Sequence, residues 1–350
     1  MSALIASLAL AASAVEASSA YLFQPESDTS YWKPDVPVVF DFAPSQFYNT
    51  VAGKPAASSY WTSSYLTGNN GQQFLVISHI FVSMDNSSYY RASTLSLDEP
   101  WDYNSYITYG NGSALRADSH LKATVKNNGF EGLSDDNIAQ MRTFSNDDTI
   151  TFDLTYNATT SAIVDGAVGL FAFGNGFTYE WGLPNCYTEG TINIYGKQLT
   201  VDPTKSFTWY DRQWNNGVPT TGNWTWFQLH IPNSRDKLSI WAVDNNDPEQ
   251  AFRFATIRTE DGSQNVVPSN FTPDYTRQWH SDVTDTLYPL DWTITVGDYG
   301  MFRVSSAVDN QEIAGNTAFT TAYEGFVTFT GEYAGEAVDG FGVVEVLFSS

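Results

Sequence analysis

The chain has 350 residues, of which 42% are apolar and 15% aromatic, and its formal charge is −23. That length and apolar content exclude a disordered chain and allow one large domain or two of ordinary size. The acidity repels nucleic acid and anionic membranes, and a single cysteine, Cys186, excludes an internal disulfide and is expected to be a quiet buried thiol.

Residues 1–20, "MSALIASLALAASAVEASSA", join an apolar run to small residues that suit a signal peptidase, although no Lys or Arg precedes Lys33. The expectation is a cleaved leader and a secreted protein. Sequons at Asn86, Asn111, Asn157, Asn223 and Asn270 agree with export and glycosylation.

Beyond the leader, alternation of period two recurs to the end. "QFLVISHIFVSM" puts Phe74, Val76, Ser78, Ile80 and Val82 on one face and Leu75, Ile77, His79 and Phe81 on the other, so it reads as a strand buried on both sides. Asn70-Gly71 before it is a hairpin turn. Further strands are expected in "TITFDLTYN", "TINIYGKQLTV", "NWTWFQLHI", "KLSIWAVDN", "DWTITV" and "EGFVTFTGEY", and "LSDDNIAQMRTF" is the one modest helix candidate. The expected fold is all-β, in two antiparallel barrels or sandwiches over 21–200 and 201–350.

The four histidines are far apart and unpaired in spacing, and no phosphate loop or dinucleotide fingerprint appears, so neither metal nor cofactor is expected. Carboxylates and aromatics remain. In "FTWYDRQW", Phe207, Trp209, Asp211 and Gln213 share one strand face, while Thr208, Tyr210, Arg212 and Trp214 share the other. An Asp among rings is either an acid kept protonated by burial, able to protonate an alkene, or half of an Asp211–Arg212 ion pair closing a barrel end. "GNWTWFQLHI" stacks Trp224, Trp226, Gln228 and His230 on a face that suits either a ligand cavity or solvent. Near the end, Tyr323, Glu324 and Glu345 lie among apolar strands, where either glutamate is an acid partner or a solvent-facing charge.

"LTVDPTKSFTWYDRQW" with "NWTWFQLHI", the lead-in "TEGTINIYGKQLTV" and the closing "YEG…GFGVVE" resemble the tandem lipocalin-like family of carotenoid hydratases (hydroxyneurosporene synthases), nearest its secreted fungal kievitone-hydratase branch. The resemblance implies two lipocalin-like β domains and a cofactor-free hydratase. It protonates the prenyl double bond of a phenolic small molecule, such as an isoflavonoid phytoalexin, and adds water to the cation. The implied acid falls on Asp211, with Tyr210, Arg212 and Glu324 tuning it. Trp209, Trp214 and Trp226 then line the pocket, and His79, Gln213, Gln228 and Tyr323 contact substrate. Asn215-Asn216-Gly217 stands where the family commonly has a glycine directly after the Trp. The same scaffold also implies two alternatives, a Diels–Alder or hetero-Diels–Alder catalyst of a secondary-metabolite pathway and a non-catalytic carrier of an apolar molecule.

Overall fold

In "ASSYWTSSYLT" every residue is buried, and the side chains alternate between two different cores. Tyr60 and Leu66 point into the interior of a barrel, whereas Trp61 and Tyr65 point out of it into a second cluster of rings. This strand, β1 (Ala57–Thr67), turns through the Asn70-Gly71 hairpin, where Gly71 takes φ +87°, into β2 (Gln73–Val82), followed by β3 (Ser88–Ser96) and β4 (Tyr103–Gly110). The computed structural model describes residues 20–28, 30–31, 37–83, 87–99, 101–117, 120–194 and 196–349, and two antiparallel sheets dominate them.

The first sheet runs β4-β3-β2-β1, then β6 (Phe207–Asn215), β5 (Gly176–Ile194) and five further strands back to Ser113–Ala117. Its far end at His120–Val125 returns against β2 and β3, so the sheet curls into a barrel. The second sheet includes β7 (Gly222–His230), β8 (Lys237–Asn246), β9 (Ala322–Tyr333) and β10 (Glu336–Ser349). It closes on itself where Gly300–Ser306 pairs with β9. The fold is therefore all-β with two barrels in tandem. Because β6 completes the first sheet, the seam in the chain falls at 216–221, not at the expected 200/201 boundary. The helix expected in "LSDDNIAQMRTF" is a turn leading into the strand Gln140–Asn146, where its apolar residues pair with Thr151–Asn157. The leader lies, but for Ala20, outside the described residues, as does Asn86.

The barrels pack face to face through β1, β2, β3 and β6 on one side and β7, β8, β9 and β10 on the other, around a core of rings that includes Tyr65, Phe207, Trp209, Trp226 and Phe341. One buried amide there is paired across the seam. Gln228 donates to the hydroxyls of Ser63 and Tyr65, the latter at 3.0 Å. The segment before the first barrel also ties the two together. The Glu26 carboxylate lies 2.9 Å from Arg258 Nη2 and 3.1 Å from Lys237 Nζ, both buried cations of the second barrel.

Burial by itself raises the Glu26 pKa, but the Lys237 and Arg258 charges more than offset it and hold it below its ordinary value. A depressed carboxylate stabilises the fold above its unfolded pKa, and that contribution is lost as pH falls through the folded value. Glu26→Gln leaves two buried cations without their counter-charge and is expected to cost about 3 kcal/mol at pH 7, read from urea unfolding. The difference from the parent protein should shrink as pH falls below the ordinary carboxylate range. A constant difference down to pH 3 would rule out the charge as its cause.

Candidate active site

Antiparallel register places directly opposed side chains on one face, in rows across the strands. One row of the first sheet runs Gly182, Asp211, Trp61, His79, Arg91 through β5, β6, β1, β2 and β3. The neighbouring row on the same face runs Glu180, Gln213, Ser59, Phe81, Tyr89. From the second barrel a row Glu324, Glu345, Trp226, Trp241 faces them through β9, β10, β7 and β8. Trp61 meets Trp226 edge to face at 5.4 Å between ring centroids. Where the sheets splay beyond this contact, a cleft opens between the barrels. It measures about 640 Å³ counted with the solvent at its mouth and is lined by Asp211, Glu180, Glu345, Arg91, His79 and a wall of tryptophans.

Asp211 is 94% buried, and its Oδ1 accepts the indole N–H of Trp209 at 2.7 Å. Gly182 sits opposite. A Cβ there would lie 2.2 Å from Asp211 Oδ1, so the glycine makes room for the carboxyl. Burial first, and then the Asp165 carboxyl, push the Asp211 pKa well above the usual carboxylate range, while the Trp209 N–H pulls it partly back. Glu180 is raised likewise by burial and by its acidic neighbours Asp165, Asp211 and Glu345, and its Oε2 accepts from Gln213 at 3.2 Å. Burial pushes Asp165 up to about 7.

The cleft's one guanidinium, Arg91, reaches across the seam to Glu324 Oε1 at 2.5 Å and Glu345 Oε1 at 3.0 Å. One positive charge does not balance two buried carboxylates, and burial pushes the fully enclosed Glu324 up to about 7, with Arg91 only partly opposing it. Glu345 keeps some contact with solvent and also accepts from Trp224 Nε1 at 3.3 Å. His79 is held neutral by burial and by Arg91, with Nε2 2.9 Å from Ser59 Oγ. The arrangement therefore offers a carboxyl whose pKa burial raises on one wall, a partly wet glutamate beside a guanidinium on the other, and tryptophan rings between.

Of the residues singled out from sequence, the cleft brings together Asp211, Gln213, Trp224, Trp226, Glu345 and His79. Trp209 sits directly behind Asp211 as its hydrogen-bond donor, and Glu324 sits behind Arg91, donated to by Trp61 Nε1 at 2.8 Å. Tyr210, Arg212 and Trp214 do not reach it, because alternation turns them into the first barrel's interior. Tyr210 donates to Gln46 Oε1, Trp214 stacks on Tyr179 at 4.8 Å, and Arg212 ties the 42–48 segment to β6 through the carbonyls of Ser45 and Tyr48. The Asp211–Arg212 ion pair is excluded for the same reason. Gln228 is spent on the seam, and Tyr323 faces the second barrel's core, bonded to Ser306 Oγ at 2.5 Å. Asn215 reaches the cleft wall, and Asn216 pins the turn by accepting from Phe177 N. Asn111 and Asn270 are exposed, and Asn157 and Asn223 half-buried.

Sequence reasoning missed Arg91, Glu180, Asp165, Trp61 and Trp241. The signal for Glu180 was available in "FTYEWG", an acid wedged between rings as Asp211 is. Arg91 in "SYYRASTLS" offered the same kind of signal.

The chain matches the AttH-like family over residues 64–347. It is 48% identical over 331 residues to kievitone hydratase of Fusarium solani subsp. phaseoli, covering 94% of this chain and 92% of that protein. It is 39% identical over 341 residues to dehydratase asqC of Emericella nidulans, covering 95% of each. The crystal structure of kievitone hydratase from Nectria haematococca superposes with a TM-score of 0.87 at 41% identity, over 95% of this chain and 99% of that one.

Asp211 is expected to carry its proton at neutral pH. Infrared difference spectra of the parent against Asp211→Asn should show a protonated-carboxyl stretch at pH 7 that disappears only at higher pH. Trp209→Phe removes the N–H that favours the carboxylate, so the same band should persist about one pH unit higher. Loss of the band below pH 5 in the parent would refute the protonated state.

Proposed function

The chain belongs to the AttH-like family and is an enzyme of the hydro-lyase class acting on a small molecule, and from that premise we propose that it hydrates the prenyl double bond of a phenolic compound such as kievitone. The observation that carries this reading is a buried carboxyl, Asp211, with no cation against it, opening on a tryptophan-walled cleft. The same reading was implied by the resemblance of the "FTWYDRQW" region to the kievitone-hydratase branch.

Asp211 donates its proton to the less substituted alkene carbon, and the π electrons form the new C–H bond. The positive charge develops on the tertiary carbon, in a cleft lined by Trp61, Trp226 and Trp241, whose electron-rich π-faces stabilise a desolvated cation. Water held by Glu345 forms the C–O bond, its second proton passes to the Glu345 carboxylate, and Arg91 holds that carboxylate in place. Asp211 regains a proton before the next cycle. His79, kept neutral, orients through Ser59 and does not compete as the acid.

The dehydratase relative favours a second reading, in which the same groups run in reverse. Glu345, once protonated, delivers its proton to a tertiary hydroxyl, water leaves, and Asp211, having first given up its own proton to solvent, takes the proton lost from carbon. Secretion is part of the first reading. It is supported by the leader over 1–20 and by sequon asparagines at 111, 157, 223 and 270, none of which is buried.

Kievitone incubated in water labelled with heavy oxygen is expected to yield a product one labelled water heavier. Asp211→Asn should lower turnover at least about a hundredfold with the thermal midpoint preserved. Gly182→Ala, which drives a methyl against the same carboxyl, should lower kcat more than it raises KM. A product free of label, or full turnover in Asp211→Asn, would refute the mechanism.

A further inference from the structure

The acid cleft does not end at its mouth. Phe81, Tyr89 and Phe319 line it, and the same three side chains form the inner wall of a second, outer groove of about 780 Å³ counted with open solvent. The groove continues over Ser87, Ser88, Tyr109 and Thr317. Phe81 and Tyr89 come from β2 and β3 of the first barrel, stacked at 5.4 Å. Phe319 comes from the second barrel, on the short loop before β9, and meets Phe81 edge to face at 5.6 Å.

That loop is held in place. Thr317 and Thr320 cap its single 3-10 turn reciprocally, and Thr321 Oγ1 accepts from Gly315 N at 2.9 Å. Tyr109 Oη, across the seam, accepts from Asn316 N at 2.7 Å and lies 3.1 Å from Thr320 Oγ1. Phe319 is therefore a positioned ring at a doorway. The inner space is acidic and walled by indoles, which suits an apolar alkene. The outer space offers ring faces fringed with hydroxyls, which suits a flat aromatic body carrying hydroxyl groups.

We propose that the outer groove is the subsite for the phenolic nucleus of the substrate, which lies against Tyr89 and Phe319 while its prenyl arm reaches around the edge of the Phe81–Phe319 pair towards Asp211. The assignment rests on the hydratase reading for the identity of that nucleus. It explains how one protein joins an apolar reacting group to a polar body, since the phenol hydroxyls stay in the solvent-open groove while the alkene alone enters the tryptophan-walled cleft. Ser87, Tyr89 and Phe319 are then residues that set specificity, acting on KM for the whole substrate.

The test is calorimetric binding of an isoflavone that lacks the prenyl arm. The parent protein is expected to bind it. Ser87→Trp, which fills the groove from an exposed position, and Phe319→Ala, which removes one ring face, should each raise Kd about tenfold. Val283→Trp, an added ring at an exposed site elsewhere, should leave Kd unchanged. No binding by the parent, or equal Kd in parent, Ser87→Trp and Phe319→Ala, would overturn the subsite. Kievitone turnover is measured separately. Binding that obeys the pattern without turnover sinks the hydratase reading and leaves the groove standing, whereas turnover with unaltered binding does the reverse.

Discussion

One guanidinium stands among the carboxyls of a buried seam, and the chemistry of the site follows from that imbalance. Glu324 and Glu345 converge on Arg91, while among the described residues no cation pairs with Asp211, Glu180 or Asp165. Unpaired charge is expensive in a low-dielectric interior, and a carboxyl avoids that cost by keeping its proton. The protein therefore sorts its acids by place and not by residue type. Burial raises the pKa of those on the β5–β6 side, and the one beside Arg91 that touches solvent keeps a cation as its partner. A second cation on the β5–β6 side would pull Asp211 down and remove the acid while leaving the fold intact.

The seam exists because four strands of the first barrel have no wet face. β1, β2, β3 and β6 bury one face in their own barrel and the other against the second. Such strands supply two independent surfaces from one stretch of sequence. In β6 the odd positions carry the chemistry, with Trp209 donating to Asp211, while the even positions lock the barrel, with Arg212 bonded to loop carbonyls and Trp214 stacked on Tyr179. A one-residue slip in register would exchange the two sets, so bulky rings on both faces also fix the alignment on which the acid depends.

This two-sidedness explains what was legible in the sequence. The all-β class, the Asn70-Gly71 hairpin, the doubly buried strand around His79 and the grouping of Trp209 with Asp211 all follow from period-two alternation within one segment. Alternation also separates Arg212 from Asp211, but the motif reads as a unit, and adjacency along the chain drew Tyr210, Arg212 and Trp214 into a site they face away from. Arg91 and Glu180 join the cleft, and Glu345 is fixed as a cleft residue and not a solvent-facing charge, only through pairings between strands, such as Trp226 with Glu345 and Glu180 with Gln213. A single segment carries no record of such register. The local trace they left was an ion embedded among rings, in "YYRAS" and "TYEWG", the same trace that marked Asp211.

An acid among aromatic rings thus has one physical meaning at three levels. Rings exclude water, and exclusion keeps the proton on Asp211. The same rings have electron-rich faces, so in the proposed mechanism they favour the cation that the proton creates more than the neutral alkene, and that difference lowers the alkene's barrier to protonation. Finally, rings are rigid, so the Trp209 indole fixes which carboxylate oxygen is occupied and the Trp61–Trp226 contact fixes the width of the cleft. Replacing the wall by aliphatic side chains of equal volume would preserve the raised pKa and the shape yet lose the charge stabilisation. Under the proposed hydration the aromatic content of the seam is therefore a catalytic property and not only a packing one.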